Sequence, residues 1–256
     1  MSKYLDAALK AAEASGKILK KNFNKGVKAI HKGNMHYVTL ADYASQATIK
    51  DIIKKDFPKH NIFSEEDEYE DKGSEYTWYI DPLDGTHNYM RNIPIFGNSI
   101  ALLRNNTVIA GVLHFPLLNR TYYAEKGKGA FMNKKRLHVS KFKPEHNYTA
   151  LLELKKESRE KLLRLFKAIE HEQNWIRAIA CASYSLALVA EGNVDVFLPF
   201  YTNLYDVASG ILLIEEAGGR VTNIHGKKWN KETKDYLLTN WKLHNRMLHF
   251  IKKADI

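Results

Sequence analysis

A single cysteine, Cys181, excludes an internal disulfide and with it the small, disulfide-stapled secreted class. Long apolar runs are missing too: none approaches the roughly 20 residues that a membrane-crossing helix needs. No low-complexity tract and no internal repeat occurs, which speaks against a disordered chain or a solenoid. Several catalytic signatures are absent. A Gly-Lys-Ser/Thr phosphate loop is not present, which argues against a nucleoside triphosphatase. The 11 histidines form no His-Glu-x-x-His pair, and no alternating Asp/Asn calcium loop occurs.

What is present suits a globular chain. It has 256 residues, 45% of them hydrophobic, enough for one sizeable core. Basic residues number 39 against 29 acidic, a formal net charge of +10. The lysines are scattered and no long basic block interleaves with aromatics, so a lysine-rich solvated surface is favoured over a nucleic-acid partner. The opening stretch puts Leu5, Leu9, Ala12, Gly16, Leu19 and Phe23 at helical spacing. It reads as an amphipathic helix rather than a signal peptide, and together with the lone cysteine it points to a reducing cytoplasm.

Periodicity predicts helix over about 3–23 and again from near Asp42 to before Pro58. "NIFSEED" and "YTWYI" read as strands, and "NSIALLRNNTVIAGVLHF" as a hairpin about Asn105 and Asn106. Gly127 and Gly129 read as turn residues rather than a phosphate site. Beyond about residue 145, "TALLEL", "VDVFLP" and "DYLLT" read as strands. "SREKLLRLFKAIEH", a segment closed by Gly192, one opened by Asp206 and closed by Gly218-Gly219, and a terminal segment holding Trp241, Leu248 and Ile251 read as helices. The pattern is α+β in a first lobe, about 1–145, and α/β in a second, 146–256, with no linker dividing this single domain.

The chemistry concentrates in "WYIDPLDGTHNYMRNIP". Asp81 and Asp84 sit with Pro82 and Gly85 in an expected turn directly after an apolar strand. Glu65, Glu66 and Asp67 follow another strand; Asp42 and Asp206 open helices. Helix capping accounts for the last two, but not for two carboxylates crowded at a strand end. An all-oxygen donor set calls for a hard cation, magnesium before calcium or manganese. Gly85 lets backbone approach a ligand, and a short helix beginning at Thr86 would aim N–H groups at an anion. Carboxylate-held metal beside a phosphate cradle implies phosphoryl chemistry.

"DPLDGTHN" resembles the signature of the inositol monophosphatase family, magnesium-dependent and lithium-sensitive phosphatases. "FSEED", "VTLAD", "EKGKGAF" and "YDVASGILLIEEAGG" resemble further segments of that family, from the first helix to Val221. The lack of a long apolar run leaves no membrane partner expected. The resemblance implies a layered αβαβα sandwich and a homodimer. It implies one Mg2+ held by Glu65, Asp81 and the Leu83 carbonyl, a second held by Asp81, Asp84 and Asp206, and a third, looser ion that also uses Glu65. It implies that Thr86 pairs with Asp42 to activate water, that Gly85 and Thr86 N–H groups hold phosphate, that Ala182 and Asp206 meet substrate, and that Glu66 stands behind the metal ligands.

Two departures bear on substrate. Tyr205 stands where the family usually has tryptophan. Inositol-selective members carry a glutamate seven positions before the last aspartate, and here that count reaches Pro199, so an offset would have to bring in Asn203 or Tyr201. "RAIACAS" occupies the family's Gly-Thr-Ala-Ala position, which makes Ser183 and Arg177 further pocket candidates. The implied activity is hydrolysis of a small polyol phosphate such as inositol 1-phosphate. Fructose 1,6-bisphosphate, NADP, histidinol phosphate and adenosine 3′,5′-bisphosphate are the alternatives, and an RNA- or transcription-associated regulator is the alternative of another class.

Overall fold

The computed structural model describes residues 1–256 apart from 26–28, 34–35, 68, 144–146 and 173. The expected lobe boundary at 145/146 lies outside the described residues. In chain order the first elements are α1 (Lys3–Asn22), β1 (Ala29–Gly33), β2 (His36–Thr39), α2 (Leu40–Asp56), β3 (Asn61–Ser64), β4 (Tyr76–Asp84), α3 (Thr86–Met90), β5 (Gly97–Arg104), β6 (Thr107–Phe115), β7 (Arg120–Glu125), β8 (Gly129–Met132) and β9 (Lys135–Arg136). They are followed by β10 (Tyr148–Leu152), a 3-10 turn (Lys156–Ser158), α4 (Arg159–Ala168), β11 (Asn174–Arg177), α5 (Ala182–Glu191), β12 (Val196–Leu198), α6 (Leu204–Glu216), β13 (Arg220–Asn223), β14 (Tyr236–Thr239) and α7 (His244–Lys253). No helix among the described residues is long and apolar enough to cross a membrane.

These elements stack in five layers. On the outside, small residues of α1 (Ala7, Ala8, Ala11) let it lie close beside α2, and both cover Trp78, Ile80, Ile100 and Leu102 of a seven-stranded sheet, β3-β4-β5-β6-β7-β8-β9. The opposite face of that sheet rests on α5 and α6. Helix α6 buries residues around its whole circumference, as a helix sandwiched between two sheets must. Gly111 of β6 makes the close approach possible: a Cβ there would stand 2.9 Å from Ser209 Cα of α6. Beyond this layer lies a five-stranded sheet, β11-β10-β12-β14-β13, in which β10 runs parallel to β11 and β12 while β14 is antiparallel. On β12, Phe197 faces the middle helices, whereas Val196 and Leu198 face α4 and α7, so "VFL" is apolar throughout because both its faces are covered. Each such fully buried side chain contributes on the order of 1.5–3 kcal/mol.

Several expectations change. Strand β4 does not end before the acids: it runs on to Asp84, which pairs with Gly97, and the register shifts between Asp81 and Asp84. The acids therefore sit on a bulge, which re-aims side chains at a sheet rim, and not in a turn. Asp42 and Asp206 do not open their helices but stand at the third position of capping boxes closed by Thr39 and Asn203. Trp241 precedes α7 and is exposed, because the chain turns there at φ +61°. Strands β1, β2, β11 and β13 carry too little apolar alternation to stand out in the sequence. Glu216 accepts from the N–H groups of Gly127 (2.7 Å) and Gly129 (2.6 Å) and pins the β7–β8 turn.

Candidate active site

The parallel strands of both sheets aim their carboxyl ends at one cavity of about 650 Å³. Glu65 follows β3, Asp81 and Asp84 close β4, Glu153 follows β10, Ala178 follows β11, and Tyr201 and Asn203 follow β12. Asp206, Tyr205, Leu83, Gly85, Thr86 and Ala182 complete the wall.

Each acid is positioned by its own local bonds. Asp81 is 2% exposed, and its Oδ1 accepts from Leu83 N–H at 3.0 Å, which folds the bulge back on itself. Ser45 of α2 donates to the Pro82 carbonyl at 2.7 Å and braces the same bulge from outside. Asp206 Oδ2 accepts from Asn203 N–H (3.1 Å) and Thr202 Oγ1 (3.0 Å) at the start of α6. Asp84 reaches across to α5, where it accepts from Ser183 N–H at 2.6 Å, Ala182 N–H at 3.3 Å and the Ser183 hydroxyl. Cys181 Sγ lies 3.1 Å from the same carboxylate; burial beside Asp84 pushes the thiol up, so it stays protonated and donates. At the start of α3, Gly85 has φ +84°, and a Cβ there would meet the Ile95 carbonyl at 2.9 Å. Only glycine suits that corner.

The electrostatics are those of crowded, dehydrated acids. Burial, with Asp206 next in weight, pushes Glu65 up to about 8. Burial and the neighbouring Glu65, Asp84 and Asp206 hold Asp81 well above the carboxylate range, and Glu65 and Asp81 share a hydrogen bond. Asp206 rises to about 6 by burial, moderated by Lys155. Among the described residues, no three acidic, histidine or cysteine side chains are drawn tightly enough together to chelate an ion in this arrangement. The donor chemistry nonetheless fits a hard cation: Glu65, Asp81 and Asp206, held up by burial and mutual repulsion in one cavity with Asp84 beside them, are relieved by a divalent positive charge.

The structure brings together Glu65, Asp81, Leu83, Asp84, Gly85, Thr86, Ala182 and Asp206. It leaves Asp42 and Glu66 outside the cavity lining. Asp42 is 1% exposed and accepts from Thr39 N–H at 2.8 Å, whereas the single proton of the Thr86 hydroxyl goes to the Leu83 carbonyl at 2.8 Å. The bond to Leu83 closes the α3 corner. Asp67 forms an ion pair with Lys50 (2.7 Å) away from the cavity, and Arg177 is exposed outside it. His87, Glu153, Lys155 and Lys156 line the cavity without having been expected there. For Glu153 the one available signal was a charge at the end of an apolar strand.

The family model described as "Inositol monophosphatase family" matches residues 1–254. A protein of Aquifex aeolicus named fructose-1,6-bisphosphatase/inositol-1-monophosphatase is 35% identical, with 99% of this chain and 97% of that protein covered. The Nus factor SuhB of Haemophilus influenzae is 34% identical over 86% of this chain and 85% of its own. Among solved structures, the extragenic suppressor protein suhB of Bartonella henselae superimposes with a TM-score of 0.93 at 30% identity, covering 98% of this chain and 99% of that one. Spaced motifs, five-layered fold and full-length likeness agree, and the chain belongs to the inositol monophosphatase family.

Proposed function

We propose that the protein is a magnesium-dependent phosphomonoesterase that hydrolyses a small polyol phosphate, inositol 1-phosphate first, by attack of water on phosphorus. The observation that carries this reading is the delivery of Glu65, Asp81, Asp84 and Asp206 from separate elements to one cavity beside the Gly85–Thr86 corner. Glu65, Asp81 and the Leu83 carbonyl would hold one Mg2+; Asp81, Asp84 and Asp206 would hold a second, and a third, looser ion would also use Glu65. Bound there, magnesium polarises phosphoryl oxygens and lowers the pKa of water.

The chain's own groups do the rest. Gly85 and Thr86 N–H groups at the start of α3 hold phosphate oxygens. Thr86 Oγ1, its proton engaged by Leu83, presents lone pairs that accept from the attacking water and orient it. Ala182 borders the alcohol side of the cavity, and Asp42 steadies the start of α2, whose Ser45 holds the bulge. Lys155 and Lys156 in the same wall suit a second anionic group, which supports fructose 1,6-bisphosphate as the second substrate reading. We also infer a homodimer, which sedimentation velocity checks.

Phosphate release from inositol 1-phosphate, fructose 1,6-bisphosphate, NADP, histidinol phosphate and adenosine 3′,5′-bisphosphate, with magnesium and with EDTA, tests the assignment. Release that needs magnesium and favours one polyol phosphate supports it. Silence across the panel from folded protein would sink it. The Nus factors among the relatives support a transcription-associated role as the reading of another class, which the net charge of +10 permits; RNA binding that weakens steeply with salt would support it.

A further inference from the structure

We propose that Glu153 forms a hydroxyl-reading subsite in the cavity wall and takes the polyol end of the substrate. This rests on the phosphatase reading of the cavity and adds the group that selects the alcohol.

Glu153 directly follows β10, and the parallel pairing of β10 with β12 brings that strand end to the cavity. Its side chain is 10% exposed, and Lys155 Nζ stands 3.8 Å from Oε2, the outer limit of an ion pair. Lys155 Nζ also donates to the Tyr201 carbonyl at 3.3 Å, so its charge is shared. Burial pushes Glu153 up to about 7 while Lys155 favours its charged form, and once ionised the carboxylate offers about four acceptor positions. One long contact leaves most of them for donors that enter the cavity.

Several other acceptors of this wall are engaged, and Glu157 and Tyr201 stand at its exposed rim. Asn203 accepts from Lys234 Nζ at 2.8 Å and donates to Tyr205 Oη at 2.7 Å, which occupies both ends of its amide. Pro199 has no side-chain acceptor, and its carbonyl takes the Tyr236 N–H at 3.1 Å. The Tyr201 ring lies at the exposed rim with Lys161 Nζ 4.4 Å from its centre. Asp84 and Asp206 are tied into the first turns of α5 and α6.

Charge then orients the substrate. Phosphate is drawn to Gly85 and Thr86 and to the magnesium that Asp81, Asp84 and Asp206 would hold, so the ester's hydroxyls are left toward Glu153, whose oxygens accept from them. An analogue without those hydroxyls leaves a dehydrated carboxylate unpaired, the situation in which hydrogen-bond selectivity is strongest.

The test compares inositol 1-phosphate with p-nitrophenyl phosphate, which carries no hydroxyl, in the magnesium-loaded full chain. Glu153→Gln should lower the ratio of their kcat/KM values about 10–100-fold, with most of the loss in KM for inositol 1-phosphate. Glu153→Asp, which keeps the carboxylate, should recover part of that ratio. An unchanged ratio in Glu153→Gln, with both substrates falling together or neither falling, overturns the subsite and makes Glu153 a structural partner of Lys155. Hydrolysis of neither substrate by the wild-type protein overturns the phosphatase reading itself, and this subsite with it.

Discussion

The Asp84 carboxylate is bound to the first turn of α5 through Ser183, whose N–H donates to it at 2.6 Å. A residue expected to serve a metal thus also joins the seven-stranded sheet to the middle helices across 99 positions of sequence. Asp84→Asn separates the two roles. The amide oxygen still accepts from Ser183 N–H, its NH2 faces only the long 3.3 Å Ala182 contact, and the charge is gone. Melting should shift by only a few degrees, while magnesium-dependent phosphate release should fall at least ~10²-fold, the scale of losing one electrostatic contributor to a transition state. Near-wild-type turnover would remove Asp84 from the metal set.

Thr86→Ala deletes the hydroxyl that donates to Leu83. If Thr86 orients the attacking water, kcat should drop about 10²–10⁴-fold with KM changed little, and Thr86→Ser should restore most of it. Steady-state kinetics on the best substrate of the panel decides this. A loss carried mainly by KM would make Thr86 a phosphate-binding group only.

Gly85→Ala places a Cβ 2.9 Å from the Ile95 carbonyl in a backbone of φ +84°. Backbone cannot yield cheaply there, so unfolding free energy should drop by about 1–3 kcal/mol in a denaturant titration. A stability equal to wild type would mean that the α3 corner is not held in this conformation in solution.

Metal and protons should compete. In metal-free protein, Glu65 is raised to about 8 and Asp206 to about 6, above their unfolded values near 4.5 and 3.8. Between those limits the folded state binds more protons than the unfolded one. This stabilisation is present below about pH 4 and is lost as pH rises toward 8. Magnesium replaces the protons, so its stabilising effect should be larger at pH 8 than at pH 5. At a concentration of ~100 Kd it adds about 2.7 kcal/mol. Melting curves with magnesium and with EDTA at the two pH values check this; an equal or larger gain at pH 5 would contradict a carboxylate-bound ion.

Local signals explain what was legible in the chain. The helices α1 and α2, the hairpin at Asn105, and the glycine ends at Gly192 and Gly218 follow from spacing and left-handed backbone within a few residues. Glu65, Asp81, Asp84, Gly85 and Thr86 stand out because acids and glycine crowd a strand end. Strand β11 does not, since "NWIR" alternates weakly and is held by pairing with Tyr148–Leu151, more than twenty positions away. Glu153 did not stand out either: in the string it falls inside "TALLEL", read only as a strand, and the pairing of β10 with β12 is what brings it to the cavity.

The linear sequence by itself determined the elements and the short acidic motif, because hydrogen bonds and steric limits between near neighbours act over a few residues. Which acids share a cavity, which asparagine amide is already engaged, and which hydroxyl serves which carbonyl were decided only in the tertiary structure. Parallel pairing of β10 with β12, and of β3 with β4, sets the strand ends that face the cavity, and the burial there turns separate carboxylates into one electrostatic unit. Such coupling depends on distance through space and on excluded water, and neither is written in the order of the residues.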